Sequence, residues 1–147
     1  MSTPCKFERS ILSYDEHGII LRSHHQRMPL LGMVRIVVIA RSDAEACALA
    51  APAYARWFET FTFLPRTRDL PAPPNLPKSF EQAVEHGFCV VGSPFTVRQA
   101  LKRQVVEAGV TYVMCQVAFG DLPLAASLQT VSIMHSTIIP ALSAMDQ

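Results

Sequence analysis

Two runs of this chain are too uniformly apolar to be half-buried strands. Val34–Ala40 (VRIVVIA) holds one polar residue, Arg35, and Thr111–Phe119 (TYVMCQVAF) shows little polarity beyond Gln116. Runs of this kind predict strands covered on both faces, as in a parallel sheet packed by helices. Elsewhere the apolar period lengthens to that of a helix. Ala46, Leu49, Ala50, Ala53, Trp57 and Phe61 form one stripe. Val97, Leu101, Val105 and Ala108 form a second, with Arg98, Lys102, Arg103 and Glu107 turned to water. Leu124, Leu128, Val131, Met134 and Ile138 mark a last helix that should stop near Pro140.

Start and stop signals bound these elements. Ser42 followed by Glu45 reads as a capping box, in which hydroxyl and carboxylate satisfy amides at a helix start. Pro52 removes an internal hydrogen bond and is expected to kink or split the helix that follows. Leu64–Pro77 carries five prolines (Pro65, Pro71, Pro73, Pro74 and Pro77) and reads as a stiff, extended loop. A short helix from Ser79 to His86 should end at Gly87. Ser93 can cap the next helix, with Pro94 at its first position, where a missing amide costs nothing. Gly109 ends that helix, and Gly120-Asp121 turns the chain before the last one.

Near the amino end, Phe7, Ile11, Leu12 and Tyr14 could line a short helix closed by His17-Gly18, with Ile19–Met33 mostly connection. The expected order is strand, helix, helix, strand, helix, a βαβ crossover plus a closing helix. The organisation follows as a weakly defined segment 1–33, a β-α-β-α unit over 34–142 and a tail, 143–147.

Half of the 147 residues are apolar and 17% are charged, a globular composition. Thirteen basic residues against twelve acidic ones give no field to draw nucleic acid and no polybasic arm for a membrane. The start, MSTPCKFERS, lacks the apolar core of a signal peptide, and no run approaches the roughly 18 apolar residues of a spanning helix. A cytoplasmic protein is expected. Cys5, Cys47, Cys89 and Cys115 are spread without a CxxC pair and are expected to be reduced.

The segments VRIVVIARSDAEA, AYARW and GSPFTVRQALKRQVVEAGVTYVMCQVAFGDLPLAASL, in this order and spacing, resemble the C-terminal end of the bacterial-luciferase-like, flavin-dependent monooxygenases. The match covers about residues 30 to 142. The resemblance implies an α/β fold: the last quarter of a (β/α)₈ TIM barrel, about strand seven to helix eight. It cannot be a closed barrel, because closure takes about 250 residues. The family implies reduced FMN, or a deazaflavin in some branches, together with a small-molecule substrate. The FMN-dependent members also use O₂. The protein shapes a dry pocket and the cofactor supplies the hard chemistry. Most flavin-holding residues of the family lie on earlier strands, so this chain is expected to be inactive by itself. Two positions depart from the family pattern. Ile36 stands where many relatives carry a histidine, and Gln116 where many carry an arginine.

Each candidate site has a plainer reading beside it. The amides opening the helix at Gly92-Ser93 suit a flavin phosphate or another anion, yet a simple helix cap is favoured. Arg35, inside a buried strand, could face the cofactor, although pairing with a carboxylate from a barrel strand missing from this chain is favoured. Gln116 could meet substrate, with a structural hydrogen bond favoured. No catalytic residue is assigned. His24-His25 is not read as a metal site, because adjacent side chains diverge and no third ligand stands at suitable spacing. His135 is read as a surface or partly buried helical residue, and Trp57, Phe58, Phe61 and Phe63 as core.

Two readings of the function follow, with a third lacking positive support. The chain is the C-terminal fragment of such a monooxygenase, working as an oligomer or with a complementing N-terminal part. Alternatively it is a non-catalytic α/β remnant that acts by pairing its strand edges with a partner chain. A binding module built on the proline-rich loop is the third.

Overall fold

The computed structural model describes residues 30–71, 73 and 75–144. The readings placed on Cys5, on Phe7 to Gly18 and on His24-His25 lie outside these residues.

Among the described residues three parallel strands form one open sheet: β1 (Gly32–Ile39), β2 (Cys89–Gly92) and β3 (Tyr112–Gln116), in the order β2-β1-β3. β1 and β3 are the two apolar runs of the sequence and pair in parallel, with Val34 beside Met114 and Ile36 beside Gln116. β2 is a third strand where two were expected. It has only four residues and falls between two strong helix signals, so its pattern is too short to stand out. All four are buried, and they pair with Ile36–Ile39.

The crossovers carry helices to both faces. On one face, Ile36, Val38 and Ala40 pack with Ala46, Ala50, Ala53 and Tyr54 of α1 (Asp43–Thr67), and with Ala83 of α2 (Phe80–Glu85). On the other, Val37 and Ile39 pack with Val97 and Leu101 of α3 (Pro94–Ala108) and with Ile138. Alternation along β1 feeds two cores, which explains why the run carries no polar face.

α1 runs unbroken through Pro52 and Pro65, where a kink or split and a loop from Leu64 were expected. Burial of its alanine face on the sheet holds the helix across the lost hydrogen bond. Its far end overhangs the sheet: Trp57 and Phe58 pack on the core, while Phe61, Phe63 and Leu64 are exposed rather than buried. The Tyr54 hydroxyl donates to the Pro77 carbonyl at 2.7 Å and pins the proline-rich loop to α1.

The last helix differs most from expectation. α4 (Leu124–Ile133) exposes Leu124, Leu128 and Val131, and buries Ala126, Ser127 and Thr130 against the sheet. Small side chains let its axis come close to the end of β1. Beyond the last residue of β3, the Ile39 amide has no strand partner and donates instead to Thr130 Oγ1 at 3.0 Å. A π-turn, Met134–Ile138, then rotates the chain so that Ile138 becomes fully buried. The helix resumes as α5 (Ile139–Ser143), passing Pro140 instead of stopping there. The proline lacks the amide that would reach back four residues, and the wider turn just before it accommodates that loss.

Candidate functional site

In open parallel sheets ligands lie outside the carboxyl ends of the strands. Here α1 starts at the end of β1 and α3 at the end of β2, so both amino termini gather there. Ser42 Oγ accepts the Glu45 amide at 3.2 Å, the expected half of a capping box. The Glu45 carboxylate takes the Arg41 amide, one residue earlier than a capping box would have it.

Gly92 and Ser93 open α3 as predicted. Ser93 Oγ accepts the Thr96 amide at 3.3 Å. The Ser93 amide and the Thr96 hydroxyl meet a residue that the sequence pattern does not single out. Asp43 Oδ1 accepts the Ser93 amide at 2.6 Å, and Oδ2 accepts the Thr96 hydroxyl at 3.1 Å. These hydrogen bonds hold the Asp43 carboxyl below its ordinary 3.8. The available signal was an acidic residue in the first turn of a capped helix, which reads as plain dipole pairing within that helix.

Arg35 has no carboxylate partner among the described residues. Its Nε donates to Gln104 Oε1 of α3 at 2.6 Å, and Nη1 donates to the Val34 carbonyl at 2.7 Å. Gln104 Nε2 in turn donates to the Gly87 carbonyl at 3.1 Å, so the three residues tie β1, α3 and the turn before β2 together. Partial burial pulls the guanidinium below its ordinary value. Gln116 is the last residue of β3 and is half-buried beside Ile36. The four residues predicted from sequence are therefore dispersed: Gly92 and Ser93 stand at the carboxyl end of β2, Arg35 in the amino-terminal half of β1, and Gln116 at the end of β3.

A concavity among the described residues lies elsewhere. A groove of about 890 Å³ runs between α3 and the α4–α5 segment with β3 as its floor. Val105, Val113, Val117, Met134 and Leu142 make it apolar, and His135, exposed on the π-turn, stands at its rim. No group of three or more potential metal ligands occurs among the described residues. No helix among them is long and apolar enough to cross a membrane.

No family model matches the chain. Over 109 residues it is 48% identical to the uncharacterized protein y4wF of Sinorhizobium fredii (strain NBRC 101917 / NGR234), covering 74% of this chain and 32% of that protein. Its fold recurs in the crystal structure of monooxygenase RslO1 from Streptomyces bottropensis, with a TM-score of 0.60 and 21% identity over 74% of this chain and 30% of that one. It recurs also in a type II Baeyer–Villiger monooxygenase, the oxygenating constituent of 3,6-diketocamphane monooxygenase from the CAM plasmid of Pseudomonas putida, in complex with FMN. There the TM-score is 0.52 and the identity 18%, over 76% of this chain and 33% of that one. What is shared with the two monooxygenases is the fold. The chain spans about a third of the length of each of these proteins.

Proposed function

We propose that this chain is the C-terminal portion of a luciferase-like, flavin-dependent monooxygenase. On this reading residues 34–142 are the C-terminal end of its α/β fold, and its flavin site is completed by polypeptide outside the chain. The order β2-β1-β3 with helices on both faces departs from the expected barrel segment, in which successive strands are neighbours and helices lie outside only. The observation that carries the reading is the state of β3. The strand is apolar on both faces, the composition of an interior strand, yet it lies at an edge of the sheet with Tyr112 45% and Met114 57% exposed. A neighbouring strand and its cover would bury both. Likeness to segments of two monooxygenases, one of them in complex with FMN, gives the class of chemistry.

The residues present do not fit a flavin phosphate. At the start of α3 the Ser93 amide and the Thr96 hydroxyl already hold Asp43, the Thr96 amide is capped by Ser93 and Pro94 has no amide to offer. Thr130 of α4 takes the amide near the end of β1. When bound by a complete enzyme, reduced FMN would supply the reaction with O₂. Gln116, closing β3, is the residue of this chain proposed to face substrate, while Arg35 serves the joint between β1 and α3.

A second reading uses the same open edge: a non-catalytic remnant that pairs with a partner chain. The two part over flavin. The chain is to be purified alone and co-expressed with the other two thirds of the Sinorhizobium relative. Expected are no stoichiometric binding of reduced FMN by the chain alone and a co-purifying complex that binds it. A complex without flavin favours the remnant. Stoichiometric binding and substrate oxygenation by the purified chain alone would overturn both.

A further inference from the structure

A carboxylate of the chain itself lies at the amino terminus of α3. Asp43, the first residue of α1, reaches across from the end of the neighbouring strand and accepts from the Ser93 amide and the Thr96 hydroxyl. Ser93 Oγ fills the next position by accepting the Thr96 amide. The space that brings Asp43 so near is created by Gly92. That residue has φ +158°, and a Cβ on it would fall 2.7 Å from Asp43 Oδ1 and 3.0 Å from the Thr96 side chain. A glycine before a helix start often lets a phosphate approach the backbone; here the approach is made by a side chain from within the fold.

We infer that Asp43 is the resident anion of the α3 amino terminus. It is a positioning residue that ties together the starts of two helices on opposite faces of the sheet, and it closes this terminus to phosphate, the flavin phosphate included. The two negative groups would compete for the same amide and hydroxyl, and the carboxylate is tethered where the phosphate would have to arrive from solution. The inference goes beyond the proposed function and does not depend on it. If an assembled enzyme binds flavin, the phosphate is held by residues elsewhere.

The sign of the pH dependence follows from the geometry. Hydrogen bonds to the ionised form keep the folded carboxyl below its ordinary value. The latch therefore contributes fully above the ordinary value and is lost as pH falls through the lowered one.

The test is a titration of the full chain, labelled with ¹⁵N, followed at the Ser93 and Thr96 amides. At pH 7, inorganic phosphate and then FMN are expected to leave both resonances without a saturable shift. On acidification the Ser93 amide should follow a titration whose midpoint lies below 3.8, the ordinary carboxylate value. Asp43→Asn, which keeps an acceptor oxygen but no charge, should abolish that titration. Saturable shifts at Ser93 and Thr96 on adding phosphate to the wild-type chain would overturn the inference, as would an unchanged acid titration in Asp43→Asn. Where acid unfolds the chain before Asp43 protonates, the phosphate titration at pH 7 decides alone. Because phosphate is added without any partner polypeptide, failure here is distinct from failure of the complex to form or to bind flavin.

Discussion

Thr130→Val tests how the sheet ends. Thr130 is fully buried, and its hydroxyl is the acceptor for the Ile39 amide in the part of β1 that extends past β3. Valine keeps the shape and removes the acceptor, which leaves a buried N–H without a partner. Such an orphan costs about 1–3 kcal/mol. At roughly 1.4 kcal/mol per factor of ten, this corresponds to about a 5- to 150-fold faster exchange of the Ile39 amide, if exchange proceeds by opening of this joint. Thr130→Ser is the control: it keeps the oxygen and loses one methyl, worth about 0.8 kcal/mol, so exchange at Ile39 should stay within several-fold of wild type. Hydrogen exchange read by NMR or by mass spectrometry on a peptide spanning Ile39 measures both. Unchanged protection in the valine variant, or a serine variant as fast as valine, would refute the view that one side-chain oxygen replaces a strand at this position.

Two further outcomes follow from local geometry. Gly120 has φ +55°, and a Cβ on it would stand 2.0 Å from the Ala53 carbonyl oxygen of α1; Gly120→Ala should therefore cost more than the roughly 1–2 kcal/mol of a left-handed residue alone, read as a lowered denaturation midpoint. Burial pushes the Cys89 thiol from 9.0 up to about 12; it should resist a thiol reagent at pH 8 until the chain unfolds. Since the unfolded thiol loses its proton first, stability should decline between about pH 9 and 12, measured by denaturation at stepped pH. Cys89→Ala should make that decline shallower without abolishing it, because burial also raises Cys115 and Tyr54, and an unchanged slope would refute the assignment.

What the sequence made legible was whatever a single segment decides. The β-branched run at Val34–Ala40, the cap at Ser93 with Pro94, and the Val97–Leu101 stripe each carry their own signal, and each forms close to where it was read. What it hid depends on partners distant along the chain. The four residues of β2 become a strand only because Ile36–Ile39 lie beside them. The buried face of α4 is its small one, since close approach to β1 and the hydrogen bond to Ile39 outweigh the larger residues Leu124, Leu128 and Val131. Asp43 is fifty residues from Ser93, and nothing local announces the pair.

That last helix face bears on the proposed function. Leu124, Leu128 and Val131 repeat at helical spacing and are 73%, 60% and 49% exposed, and β3 leaves Met114 and Tyr112 in water as well. Fully burying an apolar side chain is worth roughly 1.5–3 kcal/mol. Five side chains about half exposed therefore leave several kcal/mol that a covering surface would recover, a large share of the ~5–15 kcal/mol that holds an ordinary domain together. The pattern of the sequence is thus satisfied for the two cores around β1 and unsatisfied at β3 and α4. A complementing polypeptide that covered either surface would recover part of that energy, so assembly and stability of the chain are one question rather than two.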